Sequence, residues 1–141
     1  MTTPSCLFCK IGTGEIPGRI VWENEKVFVL LNLYPSDKGH VLFIPRNHAE
    51  QLDRGDVADS EALMGAIHVL TPAIVSALGG TGYNIGVNSG VDAGQEIFHT
   101  HIHVIPRYAG KPREFGKATV PAEELDATAA ILTEALKSYV A

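Results

Sequence analysis

The sequence predicts an α+β fold built on an antiparallel sheet, in a single domain covering residues 1–141. Three observations predict it. Short runs of β-branched and aromatic residues occupy the first third of the chain, and one long segment with apolar residues at helical spacing follows them. Two more strand-like segments and a last helix complete the order of an α+β domain. A chain of 141 residues can bury roughly two-thirds of its unfolded surface around one core.

Composition and charge exclude several classes of protein. Hydrophobic residues make up 45% and charged residues 19% of the chain, as in ordinary globular domains. The net charge of −5 argues against a nucleic-acid surface built on bulk positive charge. No continuous apolar stretch reaches the ~18 residues of a membrane span, and the N-terminus lacks the pattern of a signal peptide. We therefore expect a cytoplasmic protein that binds neither nucleic acid nor a membrane.

The first part of the chain predicts a short helix and three strands. Residues 4–12 are expected to form a short helix or turn, and Arg19–Glu23 a short strand. Two strong strands follow at Lys26–Leu33 and His40–Ile44, each rich in β-branched and aromatic residues. The turn-rich segment between them predicts an antiparallel hairpin.

The long segment from Asp56 to Leu78 predicts the central helix. Gly79 and Gly80 end it, and Pro72 inside it is expected to cause a kink. His68 is expected to lie on a helix face rather than to bind a ligand. The apolar residues at helical spacing are Leu63, Met64, Ile67, Leu70, Ile74, Val75 and Leu78.

Beyond the central helix, the sequence predicts a strand, a loop, a second strand and a last helix. The first strand covers Tyr83–Val87, and a glycine-rich loop from Asn88 to Gly94 leads into the second. The glycine-containing segment 108–117 is expected to be a mobile loop. Pro121 opens the last helix. Its predicted apolar stripe consists of Leu125, Leu132, Leu136 and Tyr139.

The most distinctive stretch is a row of three histidines, His99, His101 and His103. The residues that alternate with them are β-branched and favour an extended chain. Alternate residues of a strand share a face, so the imidazoles are predicted to face one way and the β-branched side chains the core. Folding alone does not account for such a row, and it predicts a functional site.

Two uses of this row are open. The three imidazoles could bind a catalytic Zn²⁺ ion together with a water molecule, as in a metal-assisted hydrolase. Alternatively, one neutral imidazole could act as a nucleophile. His99 and His103 would lie about 13 Å apart along a flat strand, too far to share one metal ion unless the strand bends. The spacing therefore favours a nucleophile, and we select His101 at the centre of the row.

Cys6 and Cys9 form a Cys-x-x-Cys pair near the start of the chain. A structural disulfide is not expected in a reducing compartment, and no strand precedes the pair as it would in a redox motif. Two thiolates at this spacing can occupy two corners of a tetrahedral Zn²⁺ site, which histidines would have to complete. The alternative is that both cysteines pack as small hydrophobic residues.

Polar groups beside the predicted hairpin and the glycine-rich loop are candidates for ligand binding. Asn32 interrupts an apolar strand and His40 opens the next, and a buried polar group needs a partner or a ligand. The alternative is that both are ordinary strand-end residues. Glycine lets a backbone approach a ligand closely, so the N–H groups of residues Gly94 to Ile97 could face a phosphate.

The string His-Thr-His-Ile-His-Val-Ile, preceded by Gly-Gln, resembles the signature of the histidine triad (HIT) family, which is His-x-His-x-His followed by apolar residues. Thr100 is a departure, since the family usually has an apolar residue there. The resemblance extends over almost the whole chain. It implies a five-stranded antiparallel sheet with a long central helix and a C-terminal helix, commonly doubled to ten strands in a symmetric homodimer.

The resemblance also implies an activity and its ligands. The activity is hydrolysis that releases a nucleoside 5′-monophosphate, AMP above all, from a phosphoramidate or a dinucleoside polyphosphate through a nucleotidyl-histidine intermediate. The partner would be a purine nucleotide or one of its conjugates. A non-catalytic nucleotide-binding regulator and a nucleotidyltransferase are the alternatives. Against transfer, the chain is short and shows no second substrate domain.

The family pattern assigns a role to each candidate site residue. His101 would be the nucleophile, His103 would donate to a non-bridging phosphate oxygen, and His40 would be a fourth histidine beside them. Asn32 would hold the ribose. Developing charge would be stabilised by Asn88 and by the backbone of Gly94, Gln95, Glu96 and Ile97. A structural Zn²⁺ ion would be held by Cys6, Cys9, His48 and His99, as in zinc-containing bacterial members.

Overall fold

The computed structural model describes residues 2–141, and its elements follow the predicted order. The helices and strands are α1 (Leu7–Gly12), β1 (Ile20–Glu23), β2 (Val27–Leu31), β3 (Val41–Pro45), α2 (Val57–Ala77), β4 (Gly82–Gly86), β5 (Ile102–Arg107) and α3 (Ala122–Leu136). Short 3-10 turns at Leu52–Arg54 and Val91–Ala93 lie in the connecting loops. The predicted α+β class is confirmed.

The five strands form one antiparallel sheet in the order β1-β2-β3-β5-β4. β2 and β3 make the predicted hairpin, with Val29 opposite Phe43. β5 lies between β3 and β4, so that His103 is opposite Leu42 on one side and Gly86 on the other. The last strand of the chain therefore carries the histidine row into the interior of the sheet.

The histidine row is only partly a strand. β5 begins at Ile102, so His99 and His101 precede it, contrary to the strand predicted over the whole row. The reason is that Thr100 bonds elsewhere: its backbone N–H and its hydroxyl both donate to the Ala49 carbonyl, at 2.8 and 3.0 Å. The predicted alternation of faces still holds, because Ile102 packs in the main core while the next histidine on either side lines a cavity.

α2 and α3 cover one face of the sheet and form the main core with it. Fully burying an aliphatic side chain contributes about 1.5–3 kcal/mol, so this face is the main source of stability. Met64, predicted on the apolar side of α2, is instead exposed, as is His68. The buried residues of α2 are Leu63, Ala66, Ile67, Leu70, Thr71, Ile74 and Val75.

α2 is one continuous helix. It contains Pro72 and continues to Ala77. It has the length of a membrane span and a mean hydropathy of 1.3, but its buried side chains pack on the sheet, as those of a core helix do.

α1 packs against the opposite face of the sheet. Phe8 and Ile11 are buried against the side chains that β2 and β3 turn to that face. A helix of six residues is not stable in isolation, so these tertiary contacts hold it in place.

The segment after β5, predicted as a mobile loop, is irregular but tied down. We call residues 108–118 the strap. Arg107, immediately before it, donates to the side chain of Asn84 at 2.8 Å. Arg107 and Lys111 both pair with the buried carboxylate of Asp37. These contacts fix the start of the strap between the end of β5 and the loop that joins β2 to β3.

The C-terminal stripe is shorter than predicted. α3 ends at Leu136, and its three leucines are buried as expected. Tyr139 lies beyond the helix with its side chain partly exposed, and its carbonyl accepts a hydrogen bond from the Trp22 indole at 3.1 Å.

Candidate functional site

A cavity of about 620 Å³ lies on the α1 side of the sheet. This volume is within the usual range for small-molecule sites. One wall is apolar and comes from α1, β2 and β3, through residues such as Leu7, Ile11 and Leu30. The polar lining brings together six predicted site residues, which are Asn32, His40, Asn88, Glu96, His101 and His103.

His101 is held in one tautomer. Its Nδ1 lies 2.8 Å from the His99 carbonyl, and because a carbonyl only accepts, Nδ1 must carry the proton. Nε2 is then left with a free lone pair. Burial lowers the pKa of His101, opposed by the hydrogen bond to His99, so the ring is neutral near pH 7. The carbonyl that orients it could not be named from the sequence.

His40 and His103 form a chain of directed hydrogen bonds. The backbone N–H of Ser36 donates to His40 Nδ1 at 3.0 Å, so the proton of His40 sits on Nε2. That Nε2 lies 2.9 Å from His103 Nδ1 and donates to it. His103 must therefore carry its own proton on Nε2. His103 can in this way present an N–H donor, while His101 presents a lone pair.

Burial also keeps this pair neutral. It lowers the pKa of His40 to about 3, with a smaller contribution from the charge of His103. Burial lowers the pKa of His103 to about 4, with a smaller effect of His101. Imidazoles are effective nucleophiles and hydrogen-bond relays in this neutral form.

Asn32 combines the two interpretations that the sequence left open. Its Oδ1 accepts the backbone N–H of Tyr34 at 3.0 Å, as a residue that caps a turn does. Its carboxamide also lines the cavity, with Nδ2 at 3.3 Å from His40 Nε2. The turn contact thus fixes the side chain in the position where a ligand can meet it.

The loop predicted to bind phosphate, residues 88–97, uses two of its N–H groups internally. Those of Gly94 and Gln95 donate to carbonyls of the same loop, at 3.0 and 3.1 Å. Within residues 2–141, the N–H groups of Glu96 and Ile97 have no such backbone acceptor. The predicted group of four backbone donors is therefore reduced to these two.

Gln95 supports the loop rather than facing the cavity. Its side chain is buried, and its Oε1 accepts the N–H of Gly90 at 2.8 Å. Its Nε2 donates to the carbonyls of Glu50 and Ile97. The carboxamide is therefore used in holding the loop, and the nucleotide contact predicted for this residue, which concerned its backbone, stays a prediction.

The sequence did not single out Lys117, which lines the cavity from the strap. Its Nζ lies 2.6 and 2.7 Å from the two carboxylate oxygens of Glu96. This contact lowers the pKa of the Glu96 carboxyl. The available signal was the density of basic residues between Arg107 and Lys117, four in eleven positions with one acid among them.

Cys6, Cys9, His48 and His99 meet in one cluster whose ligand atoms all lie within 4.8 Å of one another. The local cause on the cysteine side is α1. Cys6 is its N-cap and Cys9 lies in its first turn, so both sulfurs are on one side of the helix start. His99 is fully buried, and its Nε2 donates to the Pro45 carbonyl at 2.7 Å, which leaves the Nδ1 lone pair facing the cluster.

The spacing of these atoms fits a tetrahedral ion. His99 Nδ1 lies 3.4 and 3.5 Å from the two sulfurs and 3.2 Å from His48 Nδ1. Zinc bond lengths give tetrahedron edges of about 3.6 Å between S and N and about 3.3 Å between two nitrogens. Burial raises the pKa of the Cys9 thiol, and a bound cation would favour its thiolate form. With four protein ligands, the site is structural.

The fold and the two adjoining sites define a zinc-containing histidine-triad protein of the nucleotide-binding hydrolase and transferase class. The family model of the HIT domain matches residues 13–110 of this chain. The chain belongs to the HIT family.

Relatives and solved structures agree with this assignment. The chain is 44% identical over 106 residues to an uncharacterized HIT-like protein of Methanocaldococcus jannaschii, covering 74% of this chain and 81% of that protein. It is 40% identical over 102 residues to the adenylylsulfatase HINT3 of Arabidopsis thaliana, covering 72% of this chain but 52% of HINT3. A zinc-bound histidine triad protein of Mycobacterium smegmatis superposes with a TM-score of 0.85 at 30% identity, covering 94% of each chain.

Proposed function

We propose that the protein is a hydrolase that releases AMP from adenylyl conjugates through a covalent intermediate on His101. One observation carries the proposal: the His99 carbonyl fixes the proton of His101 on Nδ1, so that Nε2 carries a lone pair in a ring that lines the cavity. A nucleophile of this kind needs no deprotonation before it attacks.

In the first step, the His101 Nε2 lone pair attacks the α-phosphorus and forms a P–N bond. The bond from phosphorus to the leaving group breaks, and the leaving group takes its electron pair; a sulfate or phosphate chain leaves as the anion, whereas an amine takes up a proton from solvent as it leaves. The positive charge that develops on the ring is stabilised by the Nδ1–H hydrogen bond to the His99 carbonyl. Water then attacks the phosphorus, and the electron pair of the P–N bond returns to His101 while the water proton passes to solvent.

The other cavity residues would stabilise charge on the phosphate oxygens. His103 is suited to this by its Nε2 proton, which the donation from His40 dictates. Backbone N–H groups at Glu96 and Ile97 and the side chain of Asn88 would add donors. The purine would lie on the apolar wall and the ribose against Asn32.

The candidate substrates are phosphoramidates, dinucleoside polyphosphates and adenylyl sulfate. The last is suggested by the name of the relative HINT3, an adenylylsulfatase. All three classes share an AMP group attached to a different leaving group, and the residues assigned above would contact the shared AMP group.

A labelling experiment tests the proposal. The protein is mixed with conjugates that carry ³²P at the α-position and quenched within milliseconds, and the label on the chain is located. We expect label on His101, none in His101→Ala, and normal labelling in the control His68→Ala, whose side chain is exposed on α2. Tight AMP binding without label or turnover would identify a regulator instead. AMP passed to a sugar phosphate faster than to water would identify a transferase.

We also propose that two copies associate through β4, which is an edge strand of the sheet among the described residues. Tyr83 and Ile85 on this strand are about half exposed, an unusual exposure for large apolar side chains on an ordered strand.

A further inference from the structure

The strap fixes the position of Lys117 more closely than is usual for a surface lysine. The residues on either side of it are anchored to the same loop between β2 and β3. The Ser36 hydroxyl donates to the Gly116 carbonyl at 2.7 Å, and the Ala118 N–H donates to the Pro35 carbonyl at 3.0 Å. The backbone at Lys117 is thereby held at the cavity, and only the side chain of Lys117 is free to change its conformation and its partner.

The charge of the cavity is concentrated in one ion pair. Apart from the histidines, Glu96 and Lys117 are the only acidic and basic side chains among the described residues that line it. Each is paired with the other, yet the two side chains are 67% and 62% exposed. Exposed ion pairs contribute little to stability and are screened by solvent. This pair can therefore be broken by a ligand at small cost.

An anionic ligand acts unequally on the two partners. The negative charge of a phosphate repels the carboxylate of Glu96, which can turn to water, and attracts the ammonium group of Lys117. Glu96 belongs to the loop predicted to bind phosphate, in which the N–H groups of Glu96 and Ile97 have no backbone acceptor among residues 2–141. Lys117 Nζ, within 2.7 Å of that carboxylate, is thus already beside the place where the phosphate would bind.

The position of the strap indicates which part of the substrate Lys117 meets. The apolar wall from α1 packs over β2 and β3, through the contacts of Phe8 and Ile11. The strap is anchored at the β2–β3 loop but also lies against β5, because Arg107 donates to the Glu114 carbonyl at 2.7 Å and stacks on Phe115, which lines the cavity. In the sheet order, β5 and β4 lie on the far side of β3 from β2. A group that extends from phosphorus towards β5, away from the apolar wall, therefore extends towards the part of the strap at Phe115 and Lys117 that lines the cavity.

We propose that Lys117 is a specificity-determining residue that binds the negatively charged part of the leaving group. In doing so, Lys117 gives up its ion pair with Glu96. This inference rests on the proposed hydrolase function and adds the class of leaving group to it. The protein would prefer conjugates in which the leaving group is a sulfate or a phosphate chain over those in which it is an uncharged amine. Without a ligand, Glu96 pairs with Lys117. Because its carboxylate competes with the leaving group for the lysine, it weakens the preference for negatively charged leaving groups.

Two probes with the same AMP group test the proposal, adenylyl sulfate and adenosine 5′-phosphoramidate. In Lys117→Met, kcat/KM for adenylyl sulfate should fall about tenfold, as expected for one lost charge-assisted hydrogen bond, while the value for the phosphoramidate changes much less. Glu96→Gln should raise the preference for adenylyl sulfate. The matched control is Lys137→Met, since Lys137 also forms an exposed ion pair, with Glu134 on α3. An equal fall for both probes, or no fall for either, would overturn the proposal.

Binding keeps this test independent of turnover. The dissociation constants of both probes are measured on His101→Ala, with and without Lys117→Met. The lysine substitution should weaken adenylyl sulfate about tenfold and the phosphoramidate much less. If wild-type protein hydrolyses neither probe but this selective loss is seen, the hydrolase proposal fails and the anion subsite stands. If turnover is seen and both probes lose affinity equally, the subsite fails and the hydrolase proposal stands.

Discussion

Removing the zinc ion should loosen the N-terminal segment before it affects the chemistry. The perturbation is chelation, or Cys6→Ser, which removes one ligand. Cys6 and Cys9 connect α1 to His48, which follows β3, and to His99, which precedes β5. Without the ion, α1 is held only by the packing of its buried side chains on the sheet. A helix of six residues is not stable in isolation.

The magnitude follows from what α1 buries. Phe8 and Ile11 are its main buried hydrophobic side chains, and each contributes about 1.5–3 kcal/mol when fully buried. Loss of these buried contacts would therefore lower the free energy of unfolding by about 3–6 kcal/mol. At roughly 2–4 °C per kcal/mol for a chain of this size, the melting temperature should fall on the order of 10 °C.

The assay compares zinc-loaded, chelated and Cys6→Ser protein by thermal unfolding, and measures kcat/KM at a temperature where all three are folded. Metal analysis should find about one zinc per chain in the loaded protein, and adding zinc back to the chelated sample should restore its melting temperature. The rate should fall far less than the stability. Loss of turnover in a chelated protein that remains folded would show that the metal is catalytic, and the separation of roles between His99 and His101 would be wrong.

Three further predictions concern catalysis, acid stability and assembly. His101→Ala should lower turnover of adenosine phosphoramidate by several orders of magnitude while AMP binding persists; retention of more than about a tenth of the activity would refute the covalent mechanism. Because the pKa values of His40 and His103 are lowered from 6.5 to about 3 and about 4, the unfolded chain binds protons below pH 6.5 that the folded chain does not. Stability is therefore complete above about pH 6.5 and is lost as pH falls, by about 2 kcal/mol per histidine at pH 5. Urea unfolding of zinc-loaded wild type and His40→Asn should show a smaller loss in the variant, and equal losses would contradict the assignment. Sedimentation at micromolar concentration should give about twice the 15.1 kDa chain mass, and a monomer would refute association through β4.

The sequence predicted those parts of the fold that depend on local pattern. Apolar runs bounded by turn residues marked β2 and β3, and helical spacing marked α2 to within a residue at either end. The zinc ligands came from the Cys-x-x-Cys spacing together with the family pattern, and the structure brings all four together.

What the sequence could not show depends on contacts between distant residues. The strand starts late because Thr100 bonds to Ala49, and Gln95 turns inward because Glu50 and Gly90 offer it partners. Lys117 is a polar residue in an irregular segment, and no periodicity distinguishes it. Its position depends on contacts of its neighbours with residues about eighty positions earlier in the chain.

The place of β5 between β3 and β4 sets an order of events during folding. The β2–β3 hairpin closes a short loop, whereas Val41 of β3 must find Val104 of β5, and non-local pairing of this kind is slow. The metal ligands are separated still further, from Cys6 to His99, so a complete coordination site cannot exist until β5 has been inserted. We therefore expect zinc capture to be a late step that locks a nearly finished fold rather than a nucleus that starts it. In refolding monitored with a zinc-sensitive dye, metal uptake should coincide with the slowest structural phase, and uptake preceding sheet formation would show the opposite order.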